Sequence, residues 1–142
     1  MRIAYETMLA EFERVLTKYG FSPERAHEAA EIFAQNSLAG VFSHGLNRFP
    51  RVVEYLRKGE IDPVSEAECI ASFGAMERWD GQRGFGPLNA RHAMAADVAA
   101  SEPAEPGREV RCPGMGEHRS RKENMELGIP VAEEKWAEVL AM

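Results

Sequence analysis

Apolar residues recur in steps of one, three and four along the first twenty positions, a spacing that places side chains on one face of a helix. The members of this stripe are Met8, Leu9, Phe12, Val15, Leu16 and Tyr19. Gly20 follows the stripe, and glycine is common just beyond the end of a helix. The pattern therefore predicts a first helix that stops at Gly20.

Two more helices are predicted before residue 60. The second opens at Ser22-Pro23-Glu24, which combines a capping hydroxyl, a proline at the first helical position and an acid in the first turn. Its inner face is rich in alanine and consists of Ala26, Ala29, Ala30 and Phe33. The apolar stripe of the third helix is Phe49, Val52, Val53 and Leu56. Because proline is tolerated only in the first turn, Pro50 places the start of this helix near residues 45–48, and Gly59 closes it.

The segment 69–80 predicts a small β-hairpin. Its first strand is the short run 69–73, bounded by Gly74, and residues 77–79 are the candidate partner strand. Glycines and a proline at 84–87 then lead into a fourth helix. The residues expected to face inward from that helix are Leu88, Met94 and Val98.

The stretch 99–110 is rich in Pro, Glu and Ala and has no apolar period, so it is the best linker candidate in the chain. Two short helices are predicted after it, at about 116–127 and 132–141. The last helix should be anchored by Val131, Trp136, Val139 and Leu140. The expected fold is mainly α, a bundle of five to six helices with at most one small hairpin. Its regions are an N-terminal helical part (1–98), the linker (99–110) and C-terminal helices (111–142) that pack back on the N-terminal part.

The composition is that of an ordinary globular domain, with 142 residues, 44% apolar residues and 28% charged residues. The net charge of −6 would repel a phosphate backbone, so nucleic acid is not expected as a partner. No stretch approaches the roughly 20 apolar residues of a membrane span. The N-terminus lacks the apolar region of a signal peptide, so a cytoplasmic location is expected. Cys69 and Cys112 are then expected to be free thiols.

The remaining chemistry-bearing residues favour structural roles. His27, His92 and His118 form no pair at metal-ligand spacing, so no metal site is expected. The glycines within 81–86 lack the preceding strand and the later acidic residue of a dinucleotide fingerprint, and they are interpreted as a turn. Trp79 and Trp136 are interpreted as core anchors, because each has apolar neighbours.

Ser43-His44-Gly45, followed by Arg48 and Pro50, resembles a motif of the malate/L-lactate dehydrogenase family, whose members lack a Rossmann fold. The resemblance continues in the runs 39–45, 47–51 and 77–83 and covers residues 1 to about 98. Residues 111–142 are similar to the family's extreme C-terminus, beginning at Arg111, Pro113 and Gly114 and continuing through Gly128-Ile129-Pro130 and Trp136. Members of the family are more than twice as long, and the segment 99–110 stands where their coenzyme domain would be.

The resemblance implies a reductase of a 2-oxo acid, or of a diketo sugar acid such as 2,3-diketo-L-gulonate. In the family the histidine of this motif donates a proton to the substrate carbonyl, which makes His44 the catalytic candidate. Arg48 would hold the substrate carboxylate, and Ser43 is the other substrate-binding candidate. NAD or NADP is the expected cofactor, but the family's downstream Asn-His motif and coenzyme-contacting loops are missing, so the cofactor-binding residues are unknown.

The residue chemistry suits these roles. A histidine with its ordinary pKa near 6.5 gives and takes a proton at neutral pH. The planar fork of an arginine pairs with a carboxylate in bidentate fashion. His44 and Arg48 are four positions apart, so they share one face if a helix runs through both.

Two functions stay open. The chain is either a shortened NAD(P)-dependent reductase that borrows or replaces its coenzyme domain, or a non-catalytic helical module for self-association or partner binding. A homodimer is expected under both, because a remnant of a larger fold would expose apolar surface.

Overall fold

The computed structural model describes residues 1–74, 76–101 and 119–142, with the side chains of 98–100 and 119–120 left out. Within these ranges the chain is mainly α-helical, which confirms the predicted fold class. The helices are α1 (Tyr5–Lys18), α2 (Pro23–Leu38), α3 (Phe49–Arg57), α4 (Gly86–Ala100), α5 (Arg119–Leu127) and α6 (Glu133–Leu140). The strands are β1 (Arg2–Ile3), β2 (Glu68–Phe73), β3 (Met76–Asp80) and β4 (Ile129–Pro130).

The first two helices form as predicted and pack on each other. The backbone amide of Arg25 donates to Ser22 Oγ at 3.3 Å, with Pro23 in the first turn of α2. Gly20 has a φ of +95°, a backbone conformation that glycine adopts without strain. The alanine-rich face of α2 is buried against α1, because small side chains let two helices approach closely.

A cluster of phenylalanines forms the centre of the core. Phe12 of α1 stacks on Phe49 of α3 with ring centroids 4.2 Å apart, and Phe33 of α2 meets Phe49 edge-on at 5.1 Å. Phe85, just before α4, packs against Phe33 at 5.7 Å and against Phe21 at 6.0 Å. These rings join four segments of the chain.

The C-terminal elements contact the N-terminal helices directly. β4 pairs antiparallel with β1, with Arg2 opposite Pro130 and Ile3 opposite Ile129. The amide of Asn124 in α5 donates to the carbonyl of Leu38 at 2.7 Å. Ile129 is fully buried in the same core as the α1 and α2 side chains.

The β2–β3 hairpin confirms the predicted one, and its antiparallel register includes a bulge between Cys69 and Ala71. The β1–β4 pair was not predicted, because strands of two residues have no detectable period. No helix within the described ranges is long and apolar enough to cross a membrane.

Several inward-facing predictions were wrong. Met94 is 51% exposed and Leu140 is 53% exposed, because α4 and α6 turn other residues to the core. Trp79 is only half-buried and lies outside the core, whereas Trp136 is 6% exposed and belongs to it.

Some predicted boundaries also moved. α3 begins at Phe49, one residue beyond the predicted window, because residues 42–48 form turns. α4 continues to Ala100 and so includes the first two residues of the predicted linker. Residues 102–110 of that linker lie outside the described residues. The same holds for Cys112, for His118, for the start of the helix predicted from 116 and for the side chain of Val98.

Candidate functional site

The turns that connect α2 to α3 place the candidate catalytic histidine. Backbone amides of His44 and Gly45 both donate to the carbonyl of Val41, at 3.0 and 3.1 Å, and the amide of Arg48 donates to Gly45 at 3.0 Å. No helix therefore runs through His44 and Arg48, which lie instead in a series of tight turns. These turns hold the motif on the outside of the core, at the C-terminal end of α2.

Ser37 fixes these turns to α2. Its side chain is fully buried, donates to the carbonyl of Phe33 at 2.9 Å and accepts from the amide of Leu46 at 2.9 Å. A Cβ at Gly45 would lie 2.2 Å from Ser37 Oγ and 2.8 Å from Ser37 N. The motif therefore needs glycine after His44 because of the close approach of the turn to α2.

His44 is exposed, and its Nδ1 lies 3.0 Å from Ser43 Oγ. This contact occupies one ring nitrogen and leaves Nε2 available. Ser43 is exposed and is not among the residues lining the cleft described next. The structure thus places Ser43 beside the imidazole and outside the lining of that cleft.

A cleft of about 390 Å³ brings His44 and Arg48 together. This surface, here called the His44 cleft, is lined by Ile32, Phe33, Asn36, His44, Arg48, Val52, Tyr55, Ile61, Phe85, Gly86 and Pro87. Its lining is mostly apolar, and its polar side chains are those of Asn36, His44, Arg48 and Tyr55. A mostly apolar concavity with a few convergent polar groups is the usual form of a small-molecule site.

Arg48 supplies the positive charge of the His44 cleft. Its guanidinium makes no ion pair or hydrogen bond with any residue that the structure describes. Tyr55, one turn of α3 beyond Val52, accepts a hydrogen bond from Arg51 Nε at 2.7 Å, and this bond raises the pKa of Arg51. Arg51 therefore stays charged beside the cleft, while Arg48 is available to an anion inside it.

Sequence reasoning missed Asn36, Tyr55 and Phe85 as cleft residues. Positions 48, 52 and 55 follow the helical spacing of one face, which could have suggested Tyr55. The sequence signal for Asn36 was weaker, and consisted only of an amide side chain beside the alanine-rich face of α2. Phe85 precedes α4, and only the tertiary packing brings it to the cleft.

His27 and His92 bind carboxylates on neighbouring helices. His27 is exposed as expected, with Nδ1 2.5 Å from Glu13. His92 Nε2 lies 2.8 Å from Glu28 Oε2, and this hydrogen bond lowers the pKa of Glu28. Within the described ranges no cluster of three His, Cys, Asp or Glu side chains has metal-binding geometry.

The glycine segment 81–86 lacks the setting of a dinucleotide fingerprint. The strand before it, β3, belongs to the predicted antiparallel hairpin and not to a parallel βαβ unit. A Cβ at Gly84 would lie 2.4 Å from the carbonyl oxygen of Ser65 and 2.9 Å from Asn89 Nδ2. The protein itself therefore covers the backbone at Gly84, whereas a Cβ at Gly86 would meet no atom within 4 Å.

The fold is a helical region, and its His44 cleft places a histidine and an arginine at one concavity. Residues 3–100 match the malate/L-lactate dehydrogenase family, and the chain belongs to that family.

Among curated relatives, the chain is 44% identical over 102 residues to 2,3-diketo-L-gulonate reductase of Escherichia fergusonii, covering 70% of this chain and 31% of the relative. The same values hold for the 2,3-diketo-L-gulonate reductase of an Escherichia coli O17:K52:H18 strain. The chain therefore spans less than a third of the length of the curated relatives it matches.

Solved structures agree with this assignment. A putative malate/lactate dehydrogenase from E. coli superposes with a TM-score of 0.66 at 28% identity, covering 70% of this chain and 28% of that one. Sulfolactate dehydrogenase from Methanocaldococcus jannaschii also gives 0.66, at 29% identity, covering 70% of this chain and 29% of that one.

Proposed function

We propose that this chain forms the substrate-binding half of an oxidoreductase site that reduces a 2-oxo acid or a diketo sugar acid. The observation that carries the proposal is the presence of His44 and Arg48 in one cleft of about 390 Å³. The relatives named as diketogulonate reductases and the structural neighbours named as malate, lactate and sulfolactate dehydrogenases support the substrate class.

In this proposal Arg48 binds the substrate carboxylate. Its planar guanidinium can donate two parallel hydrogen bonds to the two carboxylate oxygens, which fixes the orientation of the acid as well as its position. The apolar wall of Ile32, Val52 and Phe85 lies beside it and excludes water from the carbon chain of the substrate. Exclusion of water strengthens the pairing of the two charges.

His44 is the proton donor. In its charged form the Nδ1–H can donate to Ser43 Oγ, which leaves the Nε2–H free to protonate the oxygen of a carbonyl as it is reduced. After the transfer the imidazole is neutral and keeps its proton on Nδ1. Ser43 is then a positioning residue that acts through His44 and does not contact the substrate.

NAD(P)H supplies the hydride when it is bound. Because β3 and the glycine segment 81–86 do not form part of a parallel βαβ unit, we propose that the coenzyme-binding part comes from another chain or segment. We also propose a homodimer in the cytoplasm. The segment 99–110 is proposed as the linker that stands where a coenzyme domain would lie, between regions 1–98 and 111–142.

The second candidate function is a non-catalytic module for self-association or partner binding. It is favoured by the β2–β3 hairpin, where Ile70, Phe73 and Met76 are 46%, 68% and 70% exposed. Large apolar side chains grouped on one hairpin mark an interaction surface more often than single exposed ones do. Both functions can hold together, because the hairpin side chains do not line the His44 cleft.

The test of the proposed function is binding of 2-oxobutyrate, followed by amide NMR shifts. We expect saturable shifts at Gly45 and Gly86, abolished in Arg48→Met and retained in Arg57→Met. Arg57 is the matched control because it lies on α3, bonds to Tyr19 and does not line the His44 cleft. Binding that survives Arg48→Met, or no binding at all, would refute the substrate site.

A coenzyme titration separates the remaining alternatives. We expect no saturable quenching or enhancement of NADH or NADPH fluorescence by the chain alone. Saturable coenzyme binding would contradict the proposal that this half of the site depends on another chain or segment. His44→Gln in that case should abolish reduction of 2-oxobutyrate while leaving coenzyme binding intact.

A further inference from the structure

Asn36 presents an unused hydrogen-bond acceptor at the His44 cleft. Its Nδ2 donates to the carbonyl of Ile32 at 2.8 Å, which fixes which end of the amide is nitrogen. No donor among the described residues reaches its Oδ1, and Asn36 lines the cleft. The side chain as a whole is half-buried.

Tyr55 presents the complementary group from α3. Its hydroxyl oxygen accepts from Arg51 Nε at 2.7 Å, so its own hydrogen stays available to donate. The ring is half-buried and also lines the cleft. The cleft therefore has an acceptor on α2 and a donor on α3, in addition to His44 and Arg48.

The rest of the wall explains why these two groups matter. Ile32, Phe33, Val52 and Phe85 offer no hydrogen bonds, so an acid with a plain alkyl chain would cover Asn36 and Tyr55 without satisfying them. A polar group that a ligand covers and leaves unpaired costs binding free energy. A hydroxyl can both donate to Asn36 Oδ1 and accept from Tyr55, because it carries one donor and two acceptor positions.

We infer that Asn36 and Tyr55 are specificity-determining residues that select 2-oxo acids bearing a hydroxyl beyond the oxo carbon. This inference rests on the proposed function, in which Arg48 holds the carboxylate end of the same ligand. Sites built to hydrogen-bond a hydroxyl reject the analogue that lacks it. Because the cleft is open on one side, the selectivity corresponds to one neutral hydrogen bond, about three- to tenfold in affinity.

The test compares two stable four-carbon acids, 2-hydroxybutanoate and 2,3,4-trihydroxybutanoate, by NMR titration of the full chain. We expect the trihydroxy acid to bind about fivefold more tightly. Asn36→Leu should bring the two affinities to within about twofold, and Tyr55→Phe, which removes only a hydroxyl, should lower the preference independently.

Gln35→Leu is the matched control. Gln35 is the adjacent α2 residue, its Oε1 also has no partner, and its Nε2 donates to Tyr5, but it does not line the cleft. It should keep the full preference, with circular dichroism confirming that each variant is folded.

The outcomes separate the two proposals. If the wild type binds both acids with equal affinity and Arg48→Met binds neither, the roles of Asn36 and Tyr55 are overturned. The proposed function is then still supported. A preference that persists in Asn36→Leu and in Tyr55→Phe also overturns them. Failure of both acids to bind the wild type overturns the proposed function and this inference with it.

Discussion

Gly45→Ala is the sharpest test of how the turn that carries His44 is packed against α2. The new methyl carbon would lie 2.2 Å from Ser37 Oγ, 2.8 Å from Ser37 N and 3.0 Å from the carbonyl oxygen of Phe33. The hydroxyl can rotate away, but the two backbone atoms belong to α2 within the core and cannot. The turn must therefore move outward, away from α2.

The cost has two parts. Overpacking against a rigid backbone costs about 1–3 kcal/mol. Displacing Ser37 Oγ also leaves the buried amide of Leu46 without its acceptor, which costs about 1–3 kcal/mol more. A loss of about 4 kcal/mol is a large share of the 5–15 kcal/mol by which domains are stable. With an unfolding entropy of about 2.1 cal/mol/K per residue, the 142 residues convert this loss into a fall in Tm of roughly 13 °C.

Thermal unfolding followed by circular dichroism measures this effect. Gly86→Ala is the control, because no atom lies within 4 Å of a Cβ at Gly86 and alanine favours a helix start over glycine. It should melt within a few degrees of the wild type. Ser37→Ala removes only the nearest contact, so adding Gly45→Ala to it should still lower Tm. A Gly45→Ala protein that melts within about 3 °C of the wild type would refute the close-approach argument.

Three further predictions follow from packing and charge. Phe12→Ala should lower the free energy of unfolding by about 3–5 kcal/mol in urea titrations, because the ring is fully buried and stacked. Asn124→Ala should lower the free energy of unfolding by about 1–3 kcal/mol, because a buried hydrogen bond is lost. Met125→Ala, on the exposed side of α5, should lower it by under about 0.5 kcal/mol. His92 lowers the pKa of Glu28, so the stability that this pair contributes is present above the ordinary Glu pKa of 4.5 and is lost as pH falls through the lower native value. His92→Ala should therefore flatten the loss of stability measured below pH 4.5, and an unchanged slope there would contradict the pairing.

The helical framework was predictable because its signals are local. The stripe of α1 and the Ser22-Pro23 start of α2 each depend on residues within a few positions of one another. The hairpin was predictable for the same reason, since its strands are joined by a short turn. The pairing of β1 with β4 joins residues 126 and 128 positions apart and has no local signature.

The orientation of α4 and α6 shows where periodicity becomes ambiguous. In α6 both Val139 and Leu140 lie one turn after Trp136, at three and four positions, and the structure buries only Val139. In α4 the many alanines leave no distinct apolar stripe, so Met94 could not be assigned to a face. Tertiary packing chose between alternatives that the sequence pattern left nearly equal.

The candidate site was predictable in its chemistry but not in its shape. His44 and Arg48 were found from the motif, and the structure brings both to one cleft although no helix runs through both. Asn36 and Tyr55 could not be assigned, because their roles depend on how α2 and α3 cross. α2 and α3 contact each other through the buried rings of Phe33 and Phe49, and the motif alone does not predict that contact.

The same aromatic cluster links stability to the proposed function. Phe33 and Phe85 pack against each other at 5.7 Å inside the core, and both also line the His44 cleft. One wall of the cleft is therefore as rigid as the core itself, while His44 and Arg48 stand on exposed turns at its rim. Every residue that lines the cleft lies within the segment 3–100 that matches the family, so this part of the site needs no residue from outside the matched segment. A preformed cleft of this kind would let the chain bind an acid before any coenzyme-carrying part is in place.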